Sequence, residues 1–113
     1  MAEYFLQKSF IEVKNVTLFR SINTAEFPDA VTTRGSKHLL ALIDAIKKGY
    51  KSYLLFLVQI QNMETFKIAK DIDKEYYKNY ILAKKAGVNF LAYRCDISSK
   101  KIFIDKKLKI IND

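Results

Sequence analysis

The chain has no tryptophan, one cysteine, one histidine, one proline and three glycines in 113 residues. Each scarcity excludes something. A lone Cys95 cannot close an intramolecular disulfide, so a disulfide-stapled scaffold is ruled out and a reducing cytoplasm is the expected setting. Cys95 sits in an apolar run and reads as a small buried hydrophobe. So little Pro and Gly excludes collagen-like and low-complexity chains. Long apolar stretches are missing too. The longest, Tyr53 to Val58, is far too short to span a bilayer, and Met-Ala-Glu-Tyr-Phe-Leu-Gln-Lys lacks a signal peptide's basic start and apolar centre, so no membrane partner is expected. There is no internal repeat, linker or composition shift, which predicts a single domain over 1–113.

Acidic residues are also in short supply, 12 against 20 basic ones, for a net charge of +8. That balance favours acidic partners, nucleic acid first among them. A compositional reading stands beside it. Only three of the 20 basic residues are Arg, and the chain is rich in Ile, Tyr, Phe and Asn, as an AT-rich genome would make any protein.

What is present begins with Ile11 to Leu18, Ile-Glu-Val-Lys-Asn-Val-Thr-Leu, a β-branched run carrying a carboxylate and an ammonium two residues apart. Alternation in a strand puts Glu12, Lys14 and Val16 on one face and Ile11, Val13 and Asn15 on the other. Such a pair can hold a divalent metal and an attacked phosphate, or it can be the solvent face of an edge strand.

Residues 3 to 18 predict one or two strands, with a turn at Gln7-Lys8 that would set Glu3 across from Glu12. From 19 to 33 the pattern breaks into Ser, Asn, Thr and the only proline, so a loop is expected, with Asp29 as turn residue, cap or site residue. A helix follows over 34–48, from the spacing of Leu39, Leu42, Ile43 and Ile46 and the stop at Gly49. Residues 52 to 60 predict a central strand buried on both faces, in which Gln59 needs a partner. After a connector over 61–72, a second helix spans 73–86, capped by Asp73 and ended by Gly87. Its Tyr76, Tyr77 and Tyr80 read as helix packing or as a stacking platform. A strand over 88–97 and a hairpin partner over 101–105 complete the series, with the lysines from 100 to 109 as a solvated edge. Strands alternating with helices predict an α/β layer structure in which strand 52–60 runs parallel to its neighbour.

Glu12-Val-Lys14-x-Val-Thr-Leu18, then Phe27-Pro-Asp-Ala-Val-Thr-Thr-Arg-Gly-Ser-Lys-His-Leu39, then Ile72-Asp-Lys-Glu-Tyr76 and Ala83 to Val88 together resemble the sugar fermentation stimulation protein family, SfsA, over nearly the whole chain from residue 10. The resemblance implies a PD-(D/E)XK nuclease-like core with a mixed central sheet flanked by helices. It implies Glu12 as a metal-binding carboxylate and Lys14 as a catalytic ammonium, with Mg²⁺ or Mn²⁺ polarising a phosphate and activating water. Thr32, Arg34, Lys37 and His38 match a second motif placed to grip phosphates. Family members are associated with non-specific DNA binding and with regulation of sugar utilisation.

Two features of that family are missing from this sequence, an OB-like N-terminal domain and a Ser-Arg-x-Asp-Phe strand whose Asp completes the metal site. A truncated form is therefore expected, with Asp29 or Glu3 as the substitute second carboxylate. Three readings follow: a non-specific DNA-binding domain, a metal-dependent nuclease using Glu12 and Lys14, or an inactive remnant that self-associates through the surface left by the missing domain.

Overall fold

A computed structural model of the chain describes residues 8–96 and 103–111. The Glu3 hairpin with its turn at Gln7-Lys8, and the turn at Ser98-Ser99-Lys100, lie outside the described residues. Nine elements follow one another: β1 (Ser9–Val16), β2 (Leu18–Ser21), β3 (Thr24–Phe27), α1 (Thr33–Lys47), β4 (Lys51–Val58), β5 (Thr65–Ile68), α2 (Lys74–Ala86), β6 (Asn89–Asp96) and β7 (Phe103–Ile110). The strands form one mixed sheet in the order β1-β4-β6-β7-β5-β3-β2. β1, β4 and β6 run parallel, as the βαβ spacing predicts, and β7 runs antiparallel to β6 while pairing parallel with β5. Only Thr17 separates β1 from β2, although the two stand at opposite ends of the strand order. The sheet must therefore curl until its edges approach.

Three expectations are corrected. The loop over 19–33 contains β2 and β3, joined by a two-residue turn in which Asn23 takes a left-handed φ of 61°. Asn tolerates that conformation, and the strands are too short and too polar to show a clear period. The connector over 61–72 contains β5, whose Phe66 and Ile68 are buried. Strand 52–60 is not buried on both faces: Ser52, Leu54, Phe56 and Val58 are buried, whereas Tyr53, Leu55 and Leu57 are only half-buried. Gln59 lies just past its end, exposed, and donates from Nε2 to Asn15 Oδ1 at 2.8 Å.

The reason is that both helices lie on the same side of the sheet. α1 buries Leu39, Leu42 and Ala45, and Ser52 Oγ beneath it donates to the Leu42 carbonyl at 3.0 Å. α2 buries Tyr76, Tyr80 and Ala83, with the Tyr80 ring edge-on to Phe90 at 4.6 Å. Phe56 stacks on Phe66 at 4.5 Å and meets Phe27 at 5.5 Å, so β3 and β5 close the end of the core. Each large aromatic fully removed from water contributes about 1.5–3 kcal/mol. Tyr76 and Tyr80 are thus core residues and Tyr77 packs half-buried against them, and no helix among the described residues is long and apolar enough to cross a membrane.

Candidate functional site

Parallel register places Glu12 opposite Leu54 and Lys14 opposite Phe56. Both charged side chains therefore emerge on the face that the helices cover, at the first turns of α1. There they meet His38. Lys14 Nζ lies 2.7 Å from His38 Nδ1 and 3.3 Å from Glu12 Oε1, and His38 Nδ1 lies 3.1 Å from the same Glu12 oxygen. The 2.7 Å contact suits Nδ1 as the acceptor of a Lys14 proton, and the 3.1 Å one suits an Nδ1–H donating to Glu12, so the imidazole tautomer decides which of the two bonds forms. Either way Lys14 lies against both groups. Its side chain is only 15% exposed, against 33% for Glu12, which makes this a half-sheltered ion pair and not two charges on a solvent face.

The start of α1 is held by a short chain of bonds. Thr32 accepts from the Gly35 N–H at 2.9 Å as the N-cap, and its own N–H donates to Asp73 Oδ2 at 2.8 Å. The other Asp73 oxygen accepts from Tyr76 N–H at 3.0 Å and caps α2. One buried carboxylate thereby ties the N-termini of both helices together. Gly35 is required at the contact: a Cβ there would lie 2.8 Å from Thr32 Cγ2 and 3.1 Å from Tyr76 Cε1. Tyr76 is fully buried, and its hydroxyl is the buried side-chain polar atom left without a partner among the described residues. Burial pushes the phenol's pKa up, with the negative charges of Glu12 and Asp73 adding to the effect.

Of the residues singled out by sequence, Glu12, Lys14 and His38 converge. Thr32 acts as a cap. Arg34 and Lys37 are exposed on the first turns of α1, and their spacing from His38 puts all three on one side of the helix. Asp29 is exposed in the loop before α1 and does not join Glu12 and His38 in a three-ligand cluster; no group of three or more His, Cys, Asp or Glu among the described residues could hold a metal ion. A divalent cation takes six or more oxygen ligands, about one or two of them carboxylates even when water and substrate supply the rest. One carboxylate and one imidazole, both already bonded to Lys14, do not fit such an ion unaided. A cleft of about 330 Å³ opens beside Glu12 between β1 and α1, lined by Phe10, Leu42, Ala45 and Tyr50.

Sequence reasoning missed the clamp formed by Thr32, Gly35, Asp73 and Tyr76, although a Gly three residues after a Thr cap was its visible signal. It also missed a second charged cluster. Glu26, 1% exposed, accepts from Arg20 Nε at 2.9 Å and Nη2 at 2.6 Å, while Arg20 also bonds Asp71 at 2.7 and 2.8 Å. The bonds to Arg20 hold the Asp71 carboxyl down at about 2.

Comparison with known proteins gives consistent findings. A family model described as the sugar fermentation stimulation protein RE domain matches residues 2–101. The sugar fermentation stimulation protein homolog of Pelagibacter ubique strain HTCC1062 is 79% identical over 106 residues, covering 94% of this chain and 46% of that protein. The homolog of Syntrophotalea carbinolica is 45% identical over 104 residues, covering 92% of this chain and 45% of that protein. Among solved structures, that of Pyrococcus furiosus SfsA in complex with Ca²⁺ superposes with a TM-score of 0.85 at 27% identity, over 92% of this chain and 45% of that one. The chain spans about half the length of the curated relatives it matches.

Proposed function

The chain belongs to the sugar fermentation stimulation protein family through its RE domain, and from that premise we propose that it binds DNA without reading sequence, holding backbone phosphates at the start of α1. The observation that carries this reading is a local conflict. The first turn of α1 contains no acidic residue, while Arg34 lies in it and Lys37 just beyond. A helix N-terminus already carries the positive end of the macrodipole, so cations there are on the wrong end for stability. An anion relieves the conflict, since free N–H groups, Arg34, Lys37 and the Lys14–His38 pair all offer donors. A local rule broken at an exposed motif is the pattern expected of a binding site.

None of these donors is aimed at a base edge by anything in the fold, which is why the reading is phosphate contact without sequence readout. The test is a salt series with duplex DNA. With about three phosphates contacted, log K falls against log salt with a slope near −3, and Arg34→Ala or Lys37→Ala each lowers the slope by about 1. An affinity flat across the salt range would remove the proposal. A reducing cytoplasm suits this role, and the relatives' name supports sugar fermentation as the process that such binding would serve.

A second reading, a metal-dependent phosphodiesterase, is favoured by the convergence of Glu12, Lys14 and His38 and by the Ca²⁺ complex of the Pyrococcus protein. Oxygens from DNA phosphates and water would have to complete the ion's shell. Incubation with DNA and Mn²⁺ decides it: cleavage lost in both Glu12→Gln and Lys14→Ala belongs to this site, and cleavage that survives either belongs elsewhere.

A further inference from the structure

The cleft of about 330 Å³ between β1 and α1 begins where the phosphate donors end. His38, which meets Lys14, is also part of the cleft wall, and Leu42 and Ala45 follow it at spacings of four and three residues along the same side of α1. Arg34 stands four residues before His38 on that side. Beyond His38 the lining changes character. Phe10 of β1 and Tyr50, just before β4, set their rings 5.2 Å apart at 58°. With Leu42 and Ala45 they make an apolar, aromatic wall, and Phe10 is 44% exposed, so that wall is open to a ligand from solvent. The charged groups of the lining are already engaged. Asp44 pairs with Lys48 at 3.0 Å, and Glu12 with Lys14 at 3.3 Å.

We propose that this cleft takes one unstacked nucleobase of a single DNA strand whose phosphates are held at the start of α1. The inference rests on the phosphate reading of that helix end and adds to it a preference for unpaired DNA. Three properties select the occupant. Volume is the first: 330 Å³ stands at the small end of ligand pockets, about 300 to 1,000 Å³, with room for a single base and not for a duplex. Chemistry is the second. A nucleotide joins a flat π-face to an anion, and here an aromatic wall adjoins a row of cationic donors. The third is what the engaged carboxylates leave undone. With Glu12 and Asp44 each held by a lysine, the base is taken by its face and not by its edge, so any base fits, as binding without sequence readout requires. A base inside a duplex must first be unpaired and unstacked, whereas a single strand offers one directly.

Fluorescence anisotropy at one fixed salt concentration compares two labelled strands of equal length. One is oligothymidylate, and the other is an oligomer of abasic tetrahydrofuran sites, which carries the same phosphates without a base. The expected result is that oligothymidylate binds about tenfold more tightly, as stacking of one base would give. Tyr50→Leu removes a ring from the wall, and Ala41→Phe fills the cleft from an exposed position on α1, so each should bring the ratio near one. Equal affinity for the two strands in the wild type overturns the proposal and leaves the phosphate reading standing, and so does a preference that survives both substitutions. Absence of binding to either strand overturns the phosphate reading and this inference with it. Sedimentation velocity on the same samples tests the rival occupant: a dimer that Tyr50→Leu dissociates puts a second copy in the cleft and overturns the proposal. If Tyr50→Leu fails to fold, Ala41→Phe decides alone.

Discussion

Arg20 is the side chain on which most depends at the scale of single residues. It holds the carboxylate of Glu26, 1% exposed, and reaches outward to Asp71. Arg20→Ala leaves that carboxylate buried without its cation, so stability should fall. Denaturant unfolding should show the loss, and Arg20→Ala with Glu26→Gln should recover part of it. The outer bond sets a pH dependence. The Asp71 carboxyl has its pKa lowered on folding, to about 2, so the stability it contributes is complete above its unfolded value and disappears as pH falls through the folded one. Thermal unfolding of wild type and Asp71→Asn should therefore converge between about pH 4 and pH 2. Tyr76 gives the opposite kind of test. Its hydroxyl is buried without a partner, so Tyr76→Phe removes an unsatisfied group and should leave stability unchanged or raised by up to about 1 kcal/mol. The alternation of Glu12 and Lys14 was legible in sequence. The direction each face points was not, because periodicity of two gives faces and only tertiary packing says which one is covered.

At the scale of elements, both helices were readable to within a residue or two, since caps and 3.6-residue spacing are local signals. β2, β3 and β5 were not, being four residues each, with β3 and β5 stabilised by pairing with strands distant in sequence. The joint between the two helix N-termini is the element-level feature with the sharpest consequences. Thr32→Ala removes a cap and should cost about 1 kcal/mol. Asp73→Ala should cost about 2–3 kcal/mol, because it uncaps α2 and also leaves the Thr32 N–H without its acceptor. Gly35→Ala tests the approach of α2 to α1. A Cβ 2.8 Å from one Thr32 atom and 3.1 Å from the Tyr76 ring forces them apart, so lower stability is expected although alanine is the better helix former. Circular dichroism melts of the three variants give the order.

For the whole molecule, charge and the α/β layer class were legible in sequence, and motif resemblance pointed to Glu12, Lys14 and His38, which the structure brings together. The curled sheet and the bare side of β1, β4 and β6 came only with the structure, since they depend on which strands neighbour one another. That neighbour pattern also governs how the chain is made. β1 pairs only with β4 among the described strands, so its backbone partner is not synthesised until residues 51–58, and β5 joins the other half of the sheet through β7 at residues 109 and 110. The small β2–β3 hairpin is the single local pairing available before that. β7 alone joins β1-β4-β6 to β5-β3-β2, so a stalled nascent chain ending at Asp96 should leave β2, β3 and β5 more open to protease than one in which Phe103–Ile110 has cleared the ribosome.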